Sequence, residues 1–434
     1  MVMNVSNFGG KDQLSLDCKV AIFLGSLTLK LCFQTKQDQG HNSLVENKSN
    51  SVFIFCLGIN LFKRYFMKTE ILTADLKACL KRVNLVASSK GSNNVTHNVL
   101  INVEGTGRTS FSGINYDDRS EYYLEWLVTQ DSIKGSVLVN CSKLSKIAAK
   151  LESETVILEL TKEYLSVISG NLTTKVPTFN YDLFPDMLWS EVDILFKISA
   201  KDFKEVYDRC FFAIGKNESR KNLMGLNIAY NKAGNVVFTA ASGFVIAKQE
   251  KQIKHLSDSK INIIFPGTTF KKAVKIFDSE DLSFSFNDNH VVISDGLRTL
   301  QVNTIEADYP VLHKLTEVFV CPHKVNSIEL FTALDMLYVM TDKCNSVAKT
   351  TVDGSFKLET KSVEQGKSCV ELPVSSSHES VVGLNINFMF EITKIFKKTT
   401  QTNIFINGNR NPVVFTSDDT SGYKAALMPV LIDW

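Results

Sequence analysis

Side chains that build most catalytic and metal sites occur in this chain, but their spacing matches neither kind of site. The seven histidines are scattered without the spacing of metal ligands, and the nine cysteines stand alone with no CxxC pair. No GxSxG, HExxH, Walker A or paired-carboxylate motif occurs. The segment 105–107 reads GTG, lacks the third glycine of a dinucleotide-binding loop and is predicted to be a hairpin turn. We therefore expect no active site, no bound metal and no cofactor.

Lysine, in contrast, recurs at helical spacing in several segments. In residues 76–83, apolar side chains fall at i, i+4 and i+7, while Lys77 and Lys81 share another side. Three more segments that predict amphipathic helices carry lysines opposite the apolar stripe, namely Lys143, Lys146 and Lys150; Lys271, Lys272 and Lys275; and Lys394, Lys397 and Lys398. For any single helix, a solvated surface is the simpler interpretation. If the helices lie side by side, however, their lysines form a positive wall.

Length and composition limit what such a wall could do. The chain has 434 residues, which predicts about three domains, and its 44% apolar and 22% charged residues are ordinary for a globular protein with substantial cores. The net charge is only +2, so any nucleic-acid role has to come from how the charge is distributed. The odd number of isolated cysteines indicates reduced thiols and favours a cytosolic compartment.

The first 66 residues differ from the rest of the chain. Their two apolar runs, 20–33 and 52–62, are shorter than the roughly 18 to 20 residues that span a bilayer, and acidic residues precede the first run, unlike a secretory signal. We interpret residues 1–66 as a non-native or disordered extension, with an added surface segment and a targeting segment as alternatives. Without them the chain carries 41 basic and 42 acidic residues.

A repeated order of segments divides the remainder. Helix-period and strand-period stretches alternate, and an acidic-aromatic-Pro signature occurs twice, as FNYDLFPD at 179–186 and IEADYPVL at 305–312. Pro185 and Pro310 lie 125 positions apart, and a third block of the same order follows. We interpret the signature as the extended exit from each of the first two units. The sequence predicts three homologous α+β domains, at 67–190, 191–317 and 318–434, each with two helices packed on antiparallel sheets.

Longer motifs resemble a known family. The segments VISGNLTTKVPTFNYDLFPDMLW and RKNLMGLNIAYNKAGNVVFTAASGFVIA, the three tandem units and a terminus containing LMPV together resemble the bacterial DNA polymerase III beta subunit, the replicative sliding clamp. The resemblance covers residues 67–432. It implies three DNA-clamp domains that form half of a ring, a head-to-tail homodimer, a non-enzymatic role and a cytoplasmic, nucleoid-associated location. A divergent clamp-like paralogue that binds replication partners without productive loading is the alternative.

The resemblance gives the lysines a role. A ring that stays on double-stranded DNA and slides should contact phosphates diffusely and read no bases. Lysine suits this task because it is a flexible, hydrated point charge. In the family, basic residues after the first helix and before the LMG segment also touch DNA, which adds Lys90, Arg220 and Lys221. The other residues expected to contact DNA are Lys77, Lys81, Lys143, Lys146, Lys150, Lys201, Lys271, Lys272, Lys275, Lys394 and Lys398.

The resemblance also implies a hydrophobic pocket between the second and third domains. Peptide tails of the DNA polymerase III catalytic subunit, the clamp loader and other clamp-binding-motif proteins insert into such a pocket. Where the family usually has TDGHRLA, this chain has ASGFVIA, which predicts fewer hydrogen-bond donors, and Trp434 could fold across the mouth. By position, the pocket comprises Leu223, Ala241, Gly243, Phe244, Val245, Ile246, Pro266, Phe270, Ala426, Met428, Pro429, Val430, Leu431 and Ile432.

Ring closure is the last feature that the resemblance implies. It pairs the edge strand at 173–176 of the first domain with the third domain of a second copy. The residues expected at this contact are Thr174, Val176, Val339 and Met340. Thr174 is more polar than residues often found there in the family, which leaves the strength of the dimer open. No membrane partner is expected.

Overall fold

The computed structural model describes most of the chain from Met67 onward and two short strands before it. Lys90, Met340, Asp433 and Trp434 lie outside the described residues, as does the apolar run at 52–62, so the expectations placed on them stay predictions. The described residues are 19–22, 31–34, 67–87, 95–116, 120–161, 164–185, 193–230, 235–253, 261–287, 289–317, 320–339, 346–362, 366–376 and 378–432.

The α-helices of the described residues coincide closely with the segments in which the spacing of apolar residues predicted a helix. Asparagine or serine side chains accept backbone N–H groups in the first turns of four of them, which satisfies donors that a helix start leaves open. The helices are α1 Thr73–Val86, α2 Cys141–Ala148, α3 Ala200–Cys210, α4 Gly267–Ile276, α5 Ser327–Val339 and α6 Ile386–Phe396.

The strands fall into three consecutive groups after a short hairpin of β1 Lys19–Ile22 and β2 Leu31–Gln34. The first group is β3 Lys68–Leu72, β4 Asn98–Val103, β5 Arg108–Asn115, β6 Glu121–Val128, β7 Gln130–Ile133, β8 Gly135–Asn140, β9 Thr155–Leu160, β10 Tyr164–Ser169 and β11 Leu172–Phe179. The second is β12 Ile194–Ile198, β13 Gly225–Tyr230, β14 Val236–Ala241, β15 Val245–Lys251, β16 Asn262–Pro266, β17 Leu282–Asn287, β18 His290–Ser294 and β19 Arg298–Asn303. The third is β20 His323–Asn326, β21 Val347–Asp353, β22 Ser355–Ser362, β23 Gly366–Ser375, β24 Ser380–Asn385, β25 Gln401–Phe405, β26 Val413–Thr416 and β27 Tyr423–Leu427.

The same order of elements occurs three times. In each group a strand leads into a helix, four strands follow, and a second helix precedes the last three strands; the first group has β7 in addition. Gly105 and Gly107, both with positive φ, form the turn between β4 and β5, which confirms the hairpin predicted there. The repeat that the sequence indicated is therefore present in the structure, and the domain boundaries placed within it stay a prediction.

Two large antiparallel sheets cross the junctions between these units. One runs β12-β17-β18-β19-β6-β5-β4-β8-β11-β10-β9-β3-β7, and the other runs β16-β13-β14-β15-β27-β26-β25-β20-β23-β22-β21-β24. At the first junction β6 pairs with β19, so that Glu125 lies opposite Arg298. At the second junction β15 pairs with β27, so that Gln249 lies opposite Tyr423. Continuous backbone hydrogen bonding thus joins each unit to the next.

The helices form a single layer against these sheets. α1 packs on α2 and α4, α3 packs on α4 and α6, and α5 packs on α6, which gives the spatial order α2-α1-α4-α3-α6-α5. Each helix buries one apolar face, anchored by residues such as Leu76, Phe203 and Leu330. The helices therefore lie side by side, which is the condition for their lysines to form one positive surface. The length and apolarity needed to cross a bilayer are not combined in any helix of the described residues.

Candidate nucleic-acid interface and partner pocket

The surface of the helix layer that faces away from the sheets carries exposed lysines. Within the described residues, eight of the predicted lysines are exposed and make no ion pair or side-chain hydrogen bond: Lys81, Lys143, Lys146, Lys150, Lys201, Lys271, Lys275 and Lys398. Lys204 on α3, which the sequence analysis did not include, is exposed in the same way. A polyanion laid along this surface could contact many ammonium groups without any base-specific contact.

Three other predicted lysines already have partners within the protein. The Lys77 ammonium donates to the Leu151 carbonyl at 2.6 Å. Lys272 forms an ion pair with Glu121, whose side chain is only 2% exposed. Lys394 pairs with Glu391 at 2.7 Å. A phosphate would have to displace these partners, and the DNA contacts expected of Lys77, Lys272 and Lys394 stay predictions.

Arg220 and Lys221 lie in a 3-10 segment, Glu218–Leu223, and both are exposed. A Cβ atom placed on Gly243 would stand 2.7 Å from a guanidinium nitrogen of Arg220, and Gly243 has a φ of +92°. Only glycine fits this approach without strain. The close approach places Arg220 at the cavity between the second and third units, and its expected DNA contact stays a prediction.

This cavity, which we call the partner pocket, has a volume of about 400 Å³. Six of its predicted residues line it: Leu223, Ala241, Gly243, Phe244, Ile246 and Met428. Pairing of β15 with β27 brings Ile246 opposite Ala426, so strands from two units build one apolar floor. Against that floor pack Tyr309, Leu312 and Phe405.

Phe244 forms an aromatic wall at one end of the partner pocket. Its side chain is 66% exposed, and its ring stacks on that of Phe388 with centroids 6.5 Å apart. The backbone N–H of Met428 donates to the Phe244 carbonyl at 2.8 Å, which fixes this residue beside the pocket. The Arg220 guanidinium, beside Gly243, and Asn222 also line the pocket. The pocket therefore combines apolar anchoring surface with a single cation, in agreement with the expectation of few hydrogen-bond donors.

Eight residues expected in the pocket do not line it. Val245 and Phe270 are fully buried in the main core, because alternate residues of a strand point to opposite faces and Phe270 points from α4 into the sheets. Val430 pairs with Gly383 of β24, and Leu431 is 78% exposed beyond that bridge. Ala426 lies in the floor, behind the surface. The remaining members outside the lining are Pro266, Pro429 and Ile432.

Besides Arg220, four lining residues were not expected in the pocket: Asn222, Pro310, Leu312 and Leu315. Three of them follow or belong to the second acidic-aromatic-Pro signature, which the sequence analysis interpreted only as a connector. Tyr309 of that signature is anchored by a hydrogen bond from its hydroxyl to the Thr239 carbonyl, at 3.3 Å. Burial raises the pKa of Tyr309 above its usual range. The signature could have identified this wall of the pocket.

A second cavity, of about 640 Å³, lies beside the partner pocket and shares Leu315 with it. Close to it, His323 is fully buried, with its Nδ1 2.7 Å from the Ser376 hydroxyl and its Nε2 3.2 Å from the Ser380 hydroxyl. Burial, and the His378 ring at 4.4 Å, lower the pKa of His323 to about 4. The imidazole therefore stays neutral at physiological pH.

Comparison of the sequence with protein-family models identifies the family of this chain. The model of the DNA polymerase III beta subunit N-terminal domain matches residues 67–188, and the model of its central domain matches residues 197–311. Together they match more than half of the chain. The chain belongs to the DNA polymerase III beta subunit family. The resemblance proposed from its motifs is therefore confirmed.

Individual relatives agree with this membership. The chain is 21% identical over 335 residues to the beta sliding clamp of Helicobacter pylori, covering 75% of this chain and 87% of the relative. It is 22% identical over 304 residues to the beta sliding clamp of Staphylococcus aureus, covering 68% and 80%.

Solved structures of the DNA polymerase III beta subunit family have the same fold. The beta sliding clamp of C. crescentus superposes with a TM-score of 0.79 at 20% identity, covering 85% of this chain and 100% of that one. The DNA polymerase sliding clamp of Bacillus subtilis gives 0.78 at 18% identity, covering 84% and 99%. These likenesses confirm the predicted α+β clamp fold.

Proposed function

We propose that this protein is a sliding clamp, a non-catalytic processivity factor that encircles duplex DNA and tethers the replicative polymerase. The observation that carries the proposal is the continuous layer of helices whose unpaired lysines lie on the surface opposite the sheets. The relatives named beta sliding clamp support it. An enclosed duplex would meet ammonium groups that attract phosphates, and the absence of base contacts would let it slide.

Ring closure needs a second copy, and the internal repeat indicates how the copies meet. At the first junction the Arg82 guanidinium donates to Glu125, which lies opposite Arg298 on the neighbouring strand. At the second junction the Arg209 guanidinium donates to Gln249 in the same way. It also lies over the ring of Tyr423, the residue opposite Gln249 on the neighbouring strand.

A third junction of this kind would join the third unit of one copy to the first unit of the next. When the helices and strands are aligned on their buried residues, its corresponding positions are apolar: Met336 of α5, Leu372 of β23 and Leu172 of β11. Met336 is 63% and Leu172 47% exposed. β8 pairs only with the last two residues of β11, and β20 only with the last two of β23, so residues 172–177 and 366–373 have one unpaired edge within the described chain. Exposed apolar groups at two free edges favour burial against another copy. We infer that β23 of one copy pairs with β11 of the next, with Leu372 opposite Leu172.

This register refines the residues expected at the dimer contact. Val176 is fully buried in its own unit, so only its backbone is available for pairing. Thr174 is half-buried on the same strand, and Val339 is exposed at the end of α5, beside the inferred seam. The backbone pairing of the two internal junctions would thereby be repeated, and two three-unit copies would close a ring of six units.

The partner pocket would hold the apolar tails of the DNA polymerase III catalytic subunit, the clamp loader and other clamp-binding-motif proteins. An extended peptide could place an apolar side chain over Leu223, Ile246 and Met428 and a second against Phe244. The Arg220 guanidinium, which lies beside Gly243, would favour a carboxylate of the peptide. We place the protein in the cytoplasm, on the nucleoid.

Retention on closed circular DNA tests the proposal. Clamp loaded onto a nicked circle by its clamp loader should stay bound through gel filtration and should leave promptly when the circle is linearised, because a ring can slide off an end. The Met428→Ala variant should stay on the circle and lose polymerase stimulation, since the pocket lies outside the bore. Equal retention on circular and linear DNA would exclude a topological clamp.

A further inference from the structure

The charge of the helix layer is not uniform along its length. In the first unit, α1 carries three basic residues and one acid, and α2 carries two basic residues and no acid. In the second unit, α3 carries three of each sign, and α4 carries three basic residues and no acid. In the third unit, α5 carries two acids and no basic residue, and α6 carries one of each. The formal helix charge is therefore +4, then +3, then −2. Lys150, just after α2, brings the first unit to +5, and Lys397 and Lys398, directly after α6, bring the third unit to zero.

The exposed surface of α5 accounts for much of this difference. Glu329 and Asp335 are exposed and make no ion pair within the described part of the chain, and Thr332 lies between them along the helix. Asp335 stands five residues after the buried anchor Leu330, and Lys81 stands five residues after the equivalent anchor of α1. A carboxylate thus occupies the position at which the first unit presents an ammonium group. The second unit has Asp208 at this position, and its net positive charge comes from α4.

The lysines near α6 are largely engaged within the third unit. Lys394 pairs with Glu391 and lies over the Phe390 ring, 4.4 Å from its centroid. Lys397 lies 4.3 Å from the centroid of the Phe331 ring. Phe331 and Phe390 stack on each other, so these two cations cover an aromatic pair that would otherwise meet solvent. Only Lys398, just beyond α6, is exposed without such a contact within the described residues.

We propose that the first two units alone hold the duplex, and that the third unit presents an arc without net positive charge, which does not attract phosphate. This inference rests on the proposed clamp function. In a ring of two copies, two cationic arcs of four helices would alternate with two uncharged gaps. Interactions between exposed charges decay over about 8 Å at physiological ionic strength, so one arc cannot compensate for another across the bore. The duplex would lean against one cationic arc at a time and would cross a gap when it moves between arcs.

The slope of log affinity against log salt counts phosphate contacts, at about 0.9 per contact for duplex DNA. It can be measured on the full chain with a short linear duplex and no clamp loader. Replacing Lys271 and Lys275 together by alanine should lower the magnitude of this slope by up to about 1.8. The control double variant Lys394→Ala, Lys397→Ala, which removes the two lysines engaged within the third unit, should leave the slope unchanged. Equal losses from the two double variants would overturn the proposal.

A gain of contact gives the complementary test. The Asp335→Lys variant introduces the residue type that Lys81 supplies at the equivalent place, and it should steepen the slope by about 0.9. An unchanged slope for this variant would show that charge does not set the gap, and would also overturn the proposal. Every substituted residue is exposed, so all variants should fold, and their thermal midpoints check this. If the uneven charge distribution were wrong, the wild-type chain would still be retained on circular DNA. If the clamp function itself were wrong, the wild-type chain would not be retained.

Discussion

At the scale of single residues, one buried carboxylate joins the first two units. Glu121 on β6 is paired with Lys272 of α4 and also accepts the Thr269 hydroxyl. Lys272→Ala should lower the free energy of unfolding by about 3 to 5 kcal/mol, because it leaves a buried charge without its partner. Urea denaturation measures this loss. Lys275→Ala, one turn along the same helix and exposed, serves as control and should change stability by less than about 0.5 kcal/mol. Similar losses in both variants would contradict this role for the pair.

At the scale of elements, a neutral imidazole ties β20 to the loop between β23 and β24. The folded-state pKa of His323 is about 4, below its ordinary value of 6.5, so the unfolded chain binds the extra proton between these values. The contribution of His323 to stability is complete above pH 6.5 and is lost as the pH falls toward 4. Thermal midpoints of wild type and His323→Asn, compared from pH 7 to 5, should show a steeper fall for wild type. Parallel profiles would exclude this coupling.

At the scale of the whole molecule, the inferred seam between copies places Lys175 of β11 opposite Cys369 of β23. Both residues are exposed, and Cys369 is a free thiol. Lys175→Cys should therefore yield a covalent dimer on mild oxidation, because directly opposed strand residues bring their Cβ atoms within disulfide reach. Non-reducing electrophoresis detects it, and adding Cys369→Ser should abolish it. A native-mass dimer that never cross-links would show that the register is wrong.

Local and repeated features of this protein can be predicted from its sequence. The helix positions, the lysines on the helix surfaces and the threefold order of elements follow from the local periodicity of apolar residues. This periodicity does not depend on which sheet a helix packs against. Family motifs then extended these features to a clamp, including six residues that line the partner pocket.

Which of those side chains remain free to bind a partner depends on contacts between distant parts of the folded chain. Lys77 meets a carbonyl 74 positions away, and Lys272 meets a carboxylate 151 positions away. The pocket wall from the second signature, and the apolar edges at Leu172 and Leu372, likewise depend on strands brought together from distant parts of the chain. Such pairings leave no periodic trace, because the sequence records each partner separately and only the folded sheets bring the two within bonding distance.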